Sequence, residues 1–149
     1  MFLRLSEFTR NNFSKAVNEL YSLTDFNNDQ YPDYLKWFYN TNIPRILNNT
    51  GEVIFCLDGF MVQGLSILKK TDDEKKICTF MVDKPYRNNK IGSHLLEESF
   101  KFLGTETPKI TIPENKIDQF NYFINRYNWK DTNVLDKYYS PEIEFNYEW

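Results

Sequence analysis

The fold of this chain is decided by residues 79–96, which read TFMVDKPYRNNKIGSHLL. β-Branched and aromatic residues at the start of this stretch are typical of a strand. A polar loop that carries Arg87 and Lys90 follows, and apolar residues at helical spacing begin at Ile91. The stretch therefore predicts a strand that runs through a cationic loop directly into a helix.

The junction between loop and helix has the features of an anion-binding site. The first turn of a helix leaves backbone N–H groups without partners, and the helix dipole favours negative charge there. Arg87 and Lys90 add positive charge, and Gly92 would let a ligand approach the backbone closely. These residues predict a phosphate-binding loop. Residue physics alone leaves one alternative open, a basic surface loop in front of an ordinary helix.

Upstream of this stretch the sequence predicts a short strand, two helices and a three-stranded meander. The first helix begins near Asn12, with Asn11 or Asn12 as its cap. Pro32 opens the second helix, and Pro44 limits how far that helix continues without interruption. The Asp-Gly pair at residues 58–59 is a hairpin signal, so we expect the meander to be antiparallel.

Downstream of the stretch the pattern continues as strand, helix and two final strands. The loop helix is expected to stop at Gly104, and a short strand covers residues 109–112. A helix follows over residues 117–127, and the last two strands cover residues 134–139 and 143–147. This order predicts an α/β architecture, a mixed and mostly antiparallel sheet flanked by helices, with one parallel pair joined by a right-handed crossover.

Composition limits the class of protein. The 149 residues fit one domain, residues 1–149, and 17% aromatic residues argue against disorder. A formal net charge of −3 argues against nucleic-acid binding, and no apolar run is long enough to cross a bilayer. Cys56 and Cys78 make neither a disulfide framework nor a metal site. Without an export signal we expect reduced thiols, a cytoplasmic location, no membrane partner and no metal.

The loop also resembles the signature of a known family. GCN5-related N-acetyltransferases (GNATs) carry Arg or Gln, two residues, Gly, one residue, then Gly or Ala, and residues 87–92 read RNNKIG. The approach to the loop, with Val82, Pro85 and Tyr86, is similar to theirs as well. Lys90 stands where the family has its first glycine, so a positive φ at that position would cost lysine some strain.

The resemblance implies the GNAT fold and acetyl-CoA as the acetyl donor, with its pyrophosphate on the loop. Backbone groups of Met81 and Val82 would pair with the pantetheine arm, and one amide would polarise the thioester carbonyl. The acetyl group would pass directly to a primary amine. The residues expected to bind the donor are Met81, Val82, Arg87, Asn88, Asn89, Lys90, Ile91, Gly92, Ser93 and Asn115. For Asn115 a plain helix cap is the alternative.

The catalytic acid and base are not identified from the sequence. The strand over residues 77–82 carries no carboxylate, which leaves Glu52, acting through water, as a weak candidate base. Relatives place a tyrosine five residues before the aromatic of a Gly-Phe pair, but here that count from Trp129 reaches Ile124. Tyr122 and Tyr138 are therefore only weak candidates for the acid, and the lone histidine, His94, is expected to be a solvated helix residue.

In this family the first two helices form the acceptor pocket, which here points to Tyr31, Tyr34 and Trp37. An aromatic wall beside carboxylates such as Asp33 suits a small cationic amine; the alternative is that Tyr34 and Phe38 belong to the core and the other aromatics form a partly exposed helix face. Two further functions stay open. The chain could acetylate a protein at lysine or at the N-terminus, or it could be a non-catalytic CoA-binding regulatory module. Homodimerisation is also open.

Overall fold

A computed structural model of the chain describes residues 1–29, 31–87, 89–106, 108–113, 116–135 and 144–148. The strands are β1 (Phe2–Arg4), β2 (Gly51–Asp58), β3 (Met61–Lys70), β4 (Lys75–Val82), β5 (Lys109–Pro113), β6 (Lys130–Leu135) and β7 (Glu144–Glu148). The helices are α1 (Arg10–Thr24), α2 (Tyr34–Trp37), α3 (Ile43–Leu47), α4 (Ile91–Leu103) and α5 (Ile117–Arg126). Short 3₁₀ turns cover Leu5–Glu7, Asp25–Asp29 and Lys84–Tyr86.

One sheet contains the seven described strands, in the order β1-β2-β3-β4-β5-β7-β6. Its pairs are antiparallel except for β4 and β5, which are parallel and connected through α4. This confirms the predicted α/β class and the mixed, mostly antiparallel sheet. The hairpin between β2 and β3 turns at Gly59, whose φ of +61° explains the glycine there.

Each face of the sheet is covered by its own hydrophobic core. The first core lies on the side of α1, α2 and α3 and includes Leu20, Phe38 and Ile67. The second lies on the side of α4 and α5 and includes Leu96 and Ile110. Alternation along the strands, with Ile67 in one core and Leu68 in the other, distributes apolar residues to both faces.

The second predicted helix is interrupted in the way that its proline suggests. Between α2 and α3 the chain forms a π-helical turn, Phe38–Asn42, and Pro44 stands in the first turn of α3. Proline lacks an N–H and its ring crowds the carbonyl four residues earlier, so a local widening of the helix before it relieves both problems. Residues 34–47 therefore continue in one direction despite the proline.

Two local predictions need correction. The N-cap of α1 is Thr9, whereas Asn11 and Asn12 lie inside the first turn, and no side chain makes a capping hydrogen bond. The first tail strand, β6, begins at Lys130, four residues earlier than the apolar pattern indicated, because paired edge strands tolerate polar residues such as those before Val134. Residues 136–143, on which part of the tail prediction fell, lie outside the described residues.

Candidate functional site

One edge of β4 is free beyond its two pairs with β5, and we call the space beside this edge the β4 cleft. The register of β4 and β5 contains two pairs, Lys76 with Lys109 and Ile77 with Ile110, and β5 then continues beside β7. Although β4 lies in the middle of the sheet, its residues 78–82 are all partly exposed. At about 3.3 Å per residue, this free edge is roughly 13 Å long from its inner end at Cys78 to Val82.

A β-bulge marks the inner end of the cleft. Ile67 pairs with Thr79 but Leu68 pairs with Ile77, so Cys78 is the extra residue on β4. The bulge shifts the alternation of side chains, and Cys78 and Met81 pack against the first core while Phe80 packs against the second. Bulges are common beside active sites, where they redirect side chains.

The loop after β4 is tied back to the strand. The Asp83 amide donates to the Gln63 carbonyl at 2.8 Å, and the Asp83 carboxylate accepts from the Lys84 amide at 3.1 Å. Arg87 Nε donates to the Val82 carbonyl at 3.0 Å. Arg87 therefore holds the loop against the end of β4. The Val82 carbonyl, one of the two backbone groups expected to pair with a ligand, already has a partner in Arg87.

No side chain of the described residues caps the N-terminus of α4 with a hydrogen bond. Lys90 is its N-cap residue and adopts the left-handed conformation with φ +62°, without a side-chain hydrogen bond to the helix. The His94 amide donates to the Lys90 carbonyl at 3.1 Å, which closes the first turn of the helix. The amides of Ile91, Gly92 and Ser93 consequently precede the first helical acceptor and remain available to an anion. Lysine pays the strain foreseen for this position.

Gly92 has a packing role that the sequence did not suggest. A Cβ on Gly92 would lie 3.1 Å from Cζ of Phe123 and 3.6 Å from Cγ2 of Val82. The missing side chain thus makes room for α5 to pack against α4, and the expected approach of a ligand to the Gly92 backbone stays a prediction. Phe123 is held in turn by the rings of Phe80 at 5.8 Å and Trp129 at 6.5 Å between centroids.

We expect Gly92→Ala to lower the free energy of unfolding by about 1 kcal/mol, although alanine is normally the better helix residue. The cause is the contact with Phe123, whose neighbours restrict its movement. Urea unfolding measures the effect, and Gly92→Ala combined with Phe123→Leu should recover part of the loss. A stabilised Gly92→Ala variant would show that the Phe123 ring moves aside freely.

A buried hydroxyl faces β4 from the first core. Tyr34 on α2 is only 5% exposed, and its hydroxyl has no hydrogen-bond partner among the described residues. Burial raises the pKa of Tyr34, and polar groups of Thr24, Asn27 and Thr79 offset part of that rise without reaching hydrogen-bond geometry. Thr79 lies on the free edge of β4. The Tyr34 hydroxyl therefore approaches this edge from the side of the first core. Sequence reasoning did not single out Thr79, since nothing in its neighbourhood distinguishes it before the bulge is known.

The other aromatic residues assigned to an acceptor pocket lie in or beside the first core. Phe38 is fully buried, Trp37 packs against the first core with its ring 5.6 Å from that of Tyr34, and Tyr31 is partly exposed beside them. Asp33 is exposed. Tyr34 and Phe38 are therefore core residues, whereas Trp37 and Tyr31 lie on a partly exposed face beside them.

Glu52 is a structural carboxylate. It is 3% exposed, and its Oε1 accepts from the amides of Ser6 at 3.1 Å and Val53 at 3.0 Å while Oε2 accepts from the Ser6 hydroxyl. It pairs with Leu68, a residue of the second core, so its side chain lies on the face opposite Tyr34 and two strands away from β4. The role of a base acting on the Tyr34 side does not fit this position.

The remaining candidates are placed as follows. Tyr122 is 60% exposed and its hydroxyl accepts from Arg126 at 3.1 Å. His94 is exposed, with its ring edge-on to Phe2. Ile124 packs against the second core, and Asn128 adopts φ +55°, a conformation that suits the glycine of the family's Gly-Phe pair. Asn88, Asn115 and Tyr138 lie outside the described residues, and their expected roles stay predictions.

The described part of the chain contains neither a metal-binding cluster nor a membrane-spanning helix. No group of three or more His, Cys, Asp and Glu side chains there is arranged to hold a metal ion. No helix there is both long enough and apolar enough to pass through a bilayer.

Comparison with solved structures identifies the fold. A ribosomal-protein-S18-alanine N-acetyltransferase from Escherichia coli is 15% identical, with a TM-score of 0.58 over 66% of this chain and 68% of that one. A GNAT family acetyltransferase from Elizabethkingia anophelis with acetyl-CoA bound is 16% identical, with a TM-score of 0.55 over 72% and 81% of the two chains. The chain has the GNAT acetyltransferase fold.

A third GNAT-fold structure, assigned as a streptothricin acetyltransferase from Bacillus anthracis in complex with acetyl coenzyme A, is 16% identical, with a TM-score of 0.62 over 73% of this chain and 68% of that one. No protein-family model and no curated protein matches the chain. The GNAT fold is therefore shared through shape at low sequence identity, and it confirms the resemblance first drawn from residues 82–92.

Proposed function

We propose that this protein is an acetyl-CoA-dependent N-acetyltransferase. The observation that carries the proposal is the free edge of β4 leading to the uncapped N-terminus of α4, with Arg87 and Lys90 beside it. A cleft of this form suits an extended ligand with an anionic end. In the reaction, the amine nitrogen bonds to the acetyl carbon, the carbon–sulfur bond breaks, and the amine proton ends on the CoA sulfur.

The donor would be held by backbone groups more than by side chains. The amides of Ile91, Gly92 and Ser93 and the positive charges of Arg87 and Lys90 would bind the pyrophosphate. An amide of Met81 or Val82 would polarise the thioester carbonyl, which is the chemistry of an oxyanion hole. Holding amine and thioester together in one cleft supplies much of the rate. Asn88, Asn89 and Asn115 complete the proposed donor site.

We expect proton transfer to proceed through water and weak acids, without a strong general acid or base. Because burial raises the pKa of Tyr34, its hydroxyl keeps its proton near neutral pH, so it can donate or accept a hydrogen bond but does not act as a base. The CoA thiol has an ordinary pKa near 8.5, so its thiolate needs no strong acid, and water entering along the partly exposed edge of β4 can carry the amine proton. No carboxylate lies on residues 77–82 to act as a base.

The acceptor class is a small-molecule primary amine. Among solved GNAT-fold structures, one protein is described by the antibiotic streptothricin and another by an alanine of a ribosomal protein, so the fold does not choose between small molecules and proteins. What supports the small-molecule proposal is the Tyr34 hydroxyl, unpartnered among the described residues, which lies beneath β4, inside the protein and away from the outer surface on which a folded partner would dock. The lack of a carboxylate on β4 favours one competitor, a non-catalytic CoA-binding module.

The proposal is tested by incubating the protein with acetyl-CoA and a panel of amines and measuring free thiol. We expect turnover with some amines and thermal stabilisation by CoA. Stabilisation without thiol release above the buffer rate would favour the non-catalytic module. New acetyl groups on proteins of a treated extract, with no small-molecule turnover, would favour the protein substrate. Neither stabilisation nor turnover would refute the function.

Tyr34→Phe should leave the free energy of unfolding within about 0.5 kcal/mol of the original, because the hydroxyl has no partner to lose. The same change should raise the acceptor KM about three- to tenfold if the hydroxyl binds the acceptor. Denaturant unfolding and steady-state kinetics measure the two effects. The nearby Tyr39→Phe, which removes a hydroxyl bonded to Asn18 at 2.8 Å, is the matched control and should leave KM unchanged.

A further inference from the structure

A row of lysines crosses three strands at the inner end of the β4 cleft. Lys69 and Lys76 are directly opposite each other in the register of β3 and β4, and Lys76 is opposite Lys109 on β5. Residues paired in this way share one face of the sheet, and like charges directly opposite each other are destabilising. Glu74 compensates in part, with its oxygens 2.9 Å from Lys69 Nζ and 3.5 Å from Lys109 Nζ.

The face that these lysines occupy is the face of Tyr34. Lys69 follows Leu68, which belongs to the second core, and Lys76 precedes Ile77, which belongs to that core as well. Alternation therefore places both lysines on the side of the first core, where α2 and α3 lie. The side chains of Lys69 and Lys109 are only 25% and 34% exposed, so their stems lie along the sheet and keep the charges close to this face.

Arg45 brings a further positive charge from α3. Its Cβ lies against Gly51, the residue opposite Lys69 on β2. Burial raises the pKa of the Cys78 thiol, and Lys76, Arg45 and Lys69 each act in the opposite direction. All three cations are therefore within electrostatic reach of Cys78, the bulge residue at which the cleft begins.

These cations exceed the acids that face them. Arg45, Lys69, Lys76 and Lys109 stand against Glu74, and the neighbouring acids Asp72 and Asp73 are exposed in the turn between β3 and β4. Lys70 and Lys75 belong to the opposite face, where Lys70 Nζ donates to the Phe102 carbonyl at 3.0 Å. The cleft therefore has positive charge at both ends, Arg87 and Lys90 at one and this basic cluster (Arg45, Lys69 and Lys76) at the other.

We propose that the acceptor amine carries an anionic group, a carboxylate or a phosphate ester, which the basic cluster binds. The proposal rests on the acetyltransferase function, which uses the α4 end of the cleft for the donor and leaves the inner end for the acceptor. Guanidinium and ammonium groups are both suited to either anion, and Lys69, although paired with Glu74, adds to the positive charge around Arg45 and Lys76. A purely cationic amine, the acceptor favoured by the sequence, would be repelled there.

Matched pairs of acceptors test the proposal. Phosphoethanolamine against ethanolamine, and β-alanine against ethylamine, differ mainly in the anionic group. We expect kcat/KM to be at least tenfold higher for the anionic member of one pair, and the pair that responds identifies phosphate or carboxylate as the anion. Equal rates within both pairs, or a preference for the members without the anion, would overturn the proposal.

Neighbouring lysines provide matched variants. Lys76→Gln should raise the KM of the anionic acceptor about tenfold with little change in the KM of acetyl-CoA, because one charge-assisted contact is lost. Lys75→Gln removes the same charge one residue away on the other face, and it should leave both KM values unchanged. Equal effects of the two variants would contradict the assignment to the basic cluster.

Binding measurements separate this proposal from the function on which it rests. If CoA does not bind in calorimetry, the acetyltransferase function fails. If CoA binds but no amine reacts, phosphoethanolamine and β-alanine are titrated into the CoA complex of the original protein, of Lys76→Gln and of Lys75→Gln. Saturable binding of at least one of them that only Lys76→Gln weakens supports the anionic acceptor, and its absence refutes it.

Discussion

Replacing Arg87 and Lys90 together with glutamate is expected to weaken acetyl-CoA binding about a hundredfold. The double variant turns two positive charges into two negative ones at a helix N-terminus that no side chain caps. Each lost charge-assisted contact is worth roughly 1.5 kcal/mol of binding free energy. The two glutamates would also counteract the attraction of the helix dipole for the phosphates. Isothermal titration calorimetry with CoA measures the change.

The control for this variant keeps the same change in net charge. Lys15 and Lys36 are exposed on α1 and α2, far along the chain from the loop, and their replacement by glutamate should leave CoA affinity within about twofold. Because Arg87 also ties the loop to Val82, Arg87→Gln is a useful third variant. Unchanged affinity in the double variant would mean that the donor binds elsewhere.

Glu52→Ala should lower the free energy of unfolding by about 3 kcal/mol, the largest stability effect that we expect. The change removes a buried acceptor shared by the Ser6 amide, the Ser6 hydroxyl and the Val53 amide. Hydrogen bonds to a charged group are each worth roughly 1.5–3 kcal/mol, and burial of the carboxylate offsets part of their sum. For a chain of this length the melting temperature should fall by roughly 6–12 °C.

A charge-matched control and a measurement of kcat accompany this prediction. Glu19→Ala, at an exposed position of α1, removes the same charge and should leave the melting temperature unchanged. Well below its melting temperature, Glu52→Ala should retain the kcat of the original protein, because the carboxylate lies on the opposite face from Tyr34. A large loss of kcat in a folded Glu52→Ala protein would restore Glu52 as a candidate base.

Local patterns explain what could be predicted. The start of α4 at Ile91, its end at Gly104 and the Asp-Gly hairpin follow from signals that span a few residues each, and the structure confirms all three. The predicted capping residue of α1 was wrong because three residues of cap-forming type, Thr9, Asn11 and Asn12, lie within one turn of one another.

The candidate site likewise contains residues that could be recognised from the sequence and residues that could not. The cations at the helix start, Arg87 and Lys90, are three positions apart in the chain and could be recognised from the sequence. The basic cluster was invisible, since Arg45 and Lys76 meet only after β2, β3 and β4 pair. Acidic composition concealed it further, because a net charge of −3 says nothing about where the positive charges gather.

By itself the sequence determined the order of strands and helices and the strand–loop–helix unit at residues 79–96, because hydrophobic period and turn chemistry act between near neighbours. Only the tertiary structure decided the separation of β4 from β5, the use of Gly92 as space for Phe123, and the burial of Glu52 beneath Ser6. Each of these depends on contacts between residues that are remote in sequence. Such contacts follow from packing of whole elements, which no local pattern specifies.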